Sequence, residues 1–160
     1  MSNWNAVGLF CDDVRQEIGG TTTIVGLQPD NMLVPQFPCT LLKLTFVVRI
    51  HIPIEIEPRE LSARIILTDG KELLLGTFSA QDIDKAREQN RSKNIPTVGF
   101  ILTAVAGGLN IPVAGLIKLF AKFGDEERLC GVLNVQASSP LNDSSQQTSR
   151  PSAASQMSIS

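Results

Sequence analysis

The chain has 160 residues, 42% hydrophobic and 19% charged, enough to bury one core without disulfide staples. A formal net charge of -2 and 5% aromatic content, with Trp4 the one tryptophan and no tyrosine, argue against a nucleic-acid binder, which needs a basic face and stacking rings. Three scattered cysteines (Cys11, Cys39, Cys130) without a CxxC pair, and His51 as the one histidine, do not supply a ready zinc site, so no metal or cofactor is expected.

The amino-terminal Met-Ser-Asn-Trp-Asn lacks the basic start and apolar run of a signal peptide. Together with cysteines read as three buried free thiols, this places the chain in the reducing cytoplasm. Asn5 to Cys11 reads as a first strand. Thr21 to Leu27, rich in β-branched residues, reads as a second. Between them lies the densest polar cluster of the chain, Asp12-Asp13-Val14-Arg15-Gln16-Glu17, followed by Gly19-Gly20. Its placement just after a strand is where loops present functional side chains. Asp12, Asp13, Arg15 and Glu17 are therefore the candidate binding residues. As a functional group, the carboxylates would bind a hard cation or supply an acid and a base. As structure, Arg15 would tie them to the sheet end, and Arg15→Ala would then cost roughly 1–3 kcal/mol through unpaired partners.

From Leu41 to Glu57 every even position is apolar, from Leu42 and Leu44 to Ile54 and Ile56, while Lys43, Arg49, His51 and Glu55 lie between. Side chains alternate faces along an extended chain, so one oily and one wet face are expected, and the class is all-β. At about 3.3 Å per residue the run would reach roughly 55 Å, too long for one strand of a small domain. Pro53 therefore marks a bulge, an edge or a change of sheet. His51, on the polar face beside Arg49, reads as an ordinary strand residue; nothing near it resembles a nucleophile motif such as GxSxG.

Ala63 to Thr68 and Lys71 to Phe78 form a hairpin around Asp69-Gly70, a pair able to take positive φ at both positions. Ser79 to Asn94 is polar, with Ser79 and Asp82 spaced like a helix start, and reads as a short surface helix or loop. Its Lys85, Arg87, Arg91 and Lys93 are interleaved with acids, as on a solvated face. Thr97 to Ile117 contains no charged residue and has the length of a membrane span. Gly107-Gly108, Asn110 and Pro112 interrupt it, so two buried strands joined by a Gly-Gly turn are preferred. A membrane-associating segment over 97–123, ending in the cationic Gly115 to Phe123, is the alternative. Leu116 to Phe123 and Arg128 to Val135 make a last hairpin around Gly124-Asp125-Glu126-Glu127.

Residues 1–137 are thus expected to form one antiparallel β-sandwich of roughly seven to nine strands, Ig-like or C2-like, with at most one short helix. Residues 138–160, rich in Ser and Gln, are expected to be a disordered tail, because they bury too little to offset their ordering entropy.

Phe10 to Gly20, leading into Thr23-Ile24-Val25-Gly26-Leu27, resembles the opening of a family of small bacterial proteins of unknown function. Its pattern is an apolar residue, then Asp-Asp-Ile/Val-Arg-x-Glu, a Gly-rich turn and a strand ending in Ile-Gly. The match covers about residues 7 to 27; beyond it only the succession of strands is similar. The resemblance implies a bacterial or phage-related β-sandwich and supplies no catalytic residue. With no nucleotide loop and no nucleophile motif, the chain reads as a non-enzymatic module that binds a protein partner, or a second copy of itself, through a sheet edge or its end loops. An enzyme or cation-binding module built on Asp12, Asp13, Arg15 and Glu17 is the second reading.

Overall fold

The computed structural model describes residues 2–139. The proposed tail lies almost wholly outside them. Among the described residues nine strands and one helix follow in order: β1 (Asn5–Gln16), β2 (Thr22–Leu27), β3 (Asn31–Val34), β4 (Cys39–Pro53), β5 (Leu61–Ile66), β6 (Glu72–Phe78), α1 (Ala80–Arg91), β7 (Thr97–Ile111), β8 (Gly115–Phe123) and β9 (Glu126–Ala137). They form a sandwich of a four-stranded sheet, ordered β2-β1-β4-β7, and a five-stranded sheet, ordered β3-β9-β8-β5-β6. The pairings are antiparallel save one: β3 runs parallel to β9, from Asn31↔Asn134 to Val34↔Ala137. That short edge strand is the one departure from the expected antiparallel architecture.

The alternating run lies on one 15-residue strand only as far as Pro53, and residues 54–57 fall outside it, as the excessive length of the run requires. Pro53 is its last paired residue, opposite Thr97, where a missing N–H costs no ladder bond. Phe46, Val48, Ile50 and Ile52 are buried between the sheets, as their parity requires. The pattern fails at both ends. Ile54 and Ile56 lie beyond the strand, in a turn closed by Ile56 N–H donating to Pro53 O (3.1 Å). Leu42 is 88% exposed, whereas the odd residues Cys39 and Leu41 pack against the core.

Gly108 explains that switch. Its φ of +64° is a left-handed conformation that other residues rarely hold. It sits between the pairs Lys43↔Gly107 and Leu41↔Leu109. The two strands kink together there, and Leu109 and Ile111 turn into the core. Gly107-Gly108 is therefore not the expected turn between two strands but a bend within one. Thr97 to Ile111 is continuous.

The inter-sheet core is built on Phe10, Phe46, Ile50, Leu61, Ile65, Ile117, Leu119 and Phe123, with Phe10 edge-on to Phe46 at 5.9 Å. Trp4 packs against Phe123, and the Arg128 guanidinium stacks over the Trp4 ring. The sheets approach most closely where β1 crosses β9. A Cβ on Gly131 would lie 2.8 Å from the Gly8 carbonyl oxygen, and one on Gly8 would lie 2.9 Å from the end of the Leu119 side chain, so glycine is required at 131 and the fit at 8 is tight.

The β5–β6 hairpin turns as Gly70 N–H donates to Leu67 O (2.9 Å). Of the expected positive-φ pair only Gly70 (φ +84°) is left-handed, which fits a three-residue loop with a glycine bulge. The β8–β9 connection is tighter than expected: Phe123 pairs with Glu126 across Gly124-Asp125. Helix α1 begins as its sequence predicts. Asp82 N–H donates to the Ser79 hydroxyl and the Asp82 carboxylate accepts Ser79 N–H (3.0 Å), a reciprocal cap. Its single buried residue, Ile83, anchors it to the core.

Candidate functional site

The four candidate residues do not lie on a loop. Strand β1 continues through Asp12, Asp13 and Arg15 to Gln16, and only Glu17 is in the turn to β2. Alternation then separates the two aspartates. Asp13 and Arg15 fall on the outer face of the four-stranded sheet with Lys43, whose ammonium donates to Asp13 at 2.6 Å. Arg15 reaches the same carboxylate at 3.6 Å. The Lys43 hydrogen bond holds the Asp13 carboxyl below its ordinary range. Asp12 points to the opposite face, against Gly26, and accepts from the Gln28 amide at 2.7 Å. Glu17 accepts from the Thr23 hydroxyl at 2.7 Å.

The carboxylates therefore have separate partners and do not converge on one point. Among the described residues no three His, Cys, Asp or Glu side chains are arranged to hold a metal ion.

The same outer face carries a feature that the sequence reading missed. Register puts Val7, Arg49 and Ile101 in one row, then Leu9, Val47 and Thr103, then Cys11, Thr45 and Val105, with Leu27 continuing the last row onto β2. Val47, Thr45 and Cys11 are buried. Val7, Leu27, Ile101 and Val105 remain 48–60% exposed. The buried Thr45 hydroxyl donates to the Asp12 carbonyl (3.2 Å). Asp13, Arg15 and Lys43 lie along one end of this patch. Arg49 and His51 lie toward the other, where His51 faces Gly99.

The outer face of the five-stranded sheet is of different character. Arg64 pairs with Glu127 (2.8 Å) and Glu72 (2.7 Å) and stacks on Phe120. Lys118 and Lys122 stand in the same layer, Lys122 directly opposite Glu127. Leu74, Leu116 and Leu129 are exposed among these charges, so the face mixes ion pairs with apolar side chains.

Edge strands differ as sharply. Strands β2, β3 and β6 have six, four and seven residues, the shortness by which natural sheets blunt their edges. Strand β7 has 15 residues, none charged. Helix α1 covers only its beginning, where the Asn90 amide donates to Thr97 O (2.7 Å) and Val98 is buried. The 97–123 run thus divides between two sheets, β7 at an edge and β8 inside the other. Among the described residues no helix is long and apolar enough to cross a membrane.

A groove of about 320 Å³ beside the Gly8–Gly131 crossing is lined by Phe10, Gln28, Asp30 and Cys130. Burial pushes the Cys130 thiol up to about 11, and it donates to Leu119 O (3.3 Å). That is an inert thiol, since the nucleophile is the thiolate. Cys11 is buried, but Cys39 and Cys130 are only partly so, a correction to the expectation of three buried thiols.

Residues 6–136 match the model of a family of unknown function, DUF6941. The chain belongs to that family. The matched span runs from β1 to the end of β9 and so includes both sheets and the outer face just described. A comparison with curated proteins finds no match.

Proposed function

We propose that this member of DUF6941 is a non-enzymatic protein-interaction module, working in the cytoplasm of a bacterial or phage-related system. Its working surface is the outer face and open edge of the four-stranded sheet. One observation carries the reading: this face groups Val7, Leu27, Ile101 and Val105, each about half exposed, beside an uncharged 15-residue edge strand, with Asp13, Arg15 and Lys43 along one end. An apolar centre with a charged rim is the usual composition of a binding patch. Asp13 and Arg15 then act at the rim. Asp12 and Glu17, on separate partners, support the turn and the strand end.

The test is capture from the native host with tagged full-length protein, comparing wild type with Ile101→Lys, Asp13→Asn and Arg15→Ala, each checked for folding by circular dichroism. Wild type is expected to retain a protein that folded Ile101→Lys loses, with a smaller loss in the two rim variants. A wild type that captures nothing, or an Ile101→Lys variant that captures as well as wild type, overturns the proposal.

A further inference from the structure

Resting on that reading, we infer that the partner of the β7 edge is a second copy of this chain, paired antiparallel about a twofold axis through Thr103. The argument begins with what is uncovered. From Gly99 to Gly107 no residue of β7 is fully buried. The Asn90–Thr97 contact bounds this window on one side, and the Gly108 kink bounds it on the other. The window is nine residues long and Thr103 is its midpoint.

A twofold interface must be self-complementary, and the sequence of the window is. Pairing about Thr103 sets Thr103 against itself, Ile101 against Val105 and Gly99 against Gly107 on the outer face. On the inner face it sets Leu102 against Ala104 and Phe100 against Ala106. Each pair keeps outer residues with outer and inner with inner, as sheet continuation demands. Threonine pairs and β-branched pairs are favourable cross-strand neighbours. Charge points the same way. Pairing two uncharged strands leaves no charge unanswered, whereas a charged peptide strand would meet no counter-charge on β7.

About eight interstrand hydrogen bonds would form, within the range of an ordinary interface, although nine residues a side is fewer than the usual 20–30. A dimer dissociating in the micromolar range is therefore expected. It would join the two apolar outer faces into one eight-stranded surface.

The test is sedimentation of the full chain between about 1 and 100 µM, a range set to span such an affinity. Alongside it, variants each carrying one added cysteine are oxidised beside wild type and examined on non-reducing gels. Wild type is expected to dimerise with concentration. Thr103→Lys, which sets two like charges opposite each other, should raise the dissociation constant at least about tenfold. Paired strands bring opposed Cα atoms to about 4.5–5.5 Å, within disulfide range. Thr103→Cys should therefore cross-link to itself. Ile101→Cys should cross-link with Val105→Cys in a mixture and not with itself, and wild type should give no cross-link.

A chain monomeric throughout that range overturns the inference, as does a dimer unaffected by folded Thr103→Lys or one cross-linked in another register. If the chain is monomeric while capture of a different protein is still lost in Ile101→Lys, the interaction proposal stands and self-pairing alone fails. If neither occurs, both fail.

Discussion

At Glu126 one side chain secures the amino-terminal segment. Its carboxylate accepts from Ser2 and the Trp4 indole (3.2 Å) and lies 3.4 Å from Arg128. Hydrogen bonds from Ser2, chiefly its hydroxyl, lower the carboxyl from 4.5 to about 2. A carboxyl depressed in the folded state stabilises the fold fully above its unfolded value and loses that contribution as pH falls through the folded one. Stability attributable to Glu126 should thus be complete above pH 4.5 and drain away toward pH 2. Urea denaturation across this window should show a flatter pH dependence in Glu126→Gln than in wild type; equal slopes would contradict the assignment. The comparison separates Glu126 from Asp13, Asp82 and Glu127, whose carboxyls are also held low. Arg15 gives the opposite lesson. From sequence it ties the cluster together, but it is largely exposed, and Asp13 keeps the closer Lys43. Arg15→Ala should change stability by about 0.5 kcal/mol or less, as exposed pairs do. A measured loss of about 2 kcal/mol, the midpoint of the effect of unpairing a buried group, would restore the structural reading of the cluster.

Among the elements, legibility followed the strength of the periodic signal. Strand β4 was plain because Phe46 to Ile52 are fixed by alternation, and α1 because Ser79 and Asp82 form a reciprocal cap that any such spacing favours. What alternation could not show was where twist reverses it: Gly108 reads as a turn signal until its partner strand is known to continue past it. Likewise β1 runs on through Asp12 and Asp13 because β2 pairs with it from Cys11 to Gln16, and tertiary pairing overrides the low strand preference of aspartate. The glycines at the β1–β9 crossing carry no sequence signature, since their need arises only when the two sheets meet. Gly131→Ala should cost about 1–3 kcal/mol by overpacking, read as a lower urea midpoint with unchanged slope. An unaltered midpoint would mean that the crossing has room for a methyl group.

For the molecule as a whole, the sandwich class is readable from alternation and turn spacing, but the proposed working surface is not. Thr97 to Ile117 was read as buried because an uncharged strand is ordinarily a central one. Whether Ile101 and Val105 face a covering layer or solvent depends on β7 lying at an edge, which is a property of strand order and not of sequence. The same lack of charge that suggested core is, at an edge, what makes the strand a pairing surface. The four carboxylate and arginine candidates were conspicuous in sequence, yet the pleat that separates Asp12 from Asp13 appears only once both belong to one strand.

The most direct measurement is amide hydrogen exchange on the full-length chain, free and in the complex it captures, whether with a second copy or another protein. Slower exchange in the complex at Gly99–Gly107, with the five-stranded sheet unchanged, is the expected result. Slowing confined to β6, β5 or β8, with β7 exchanging as in the free chain, would contradict the four-stranded sheet as the binding surface.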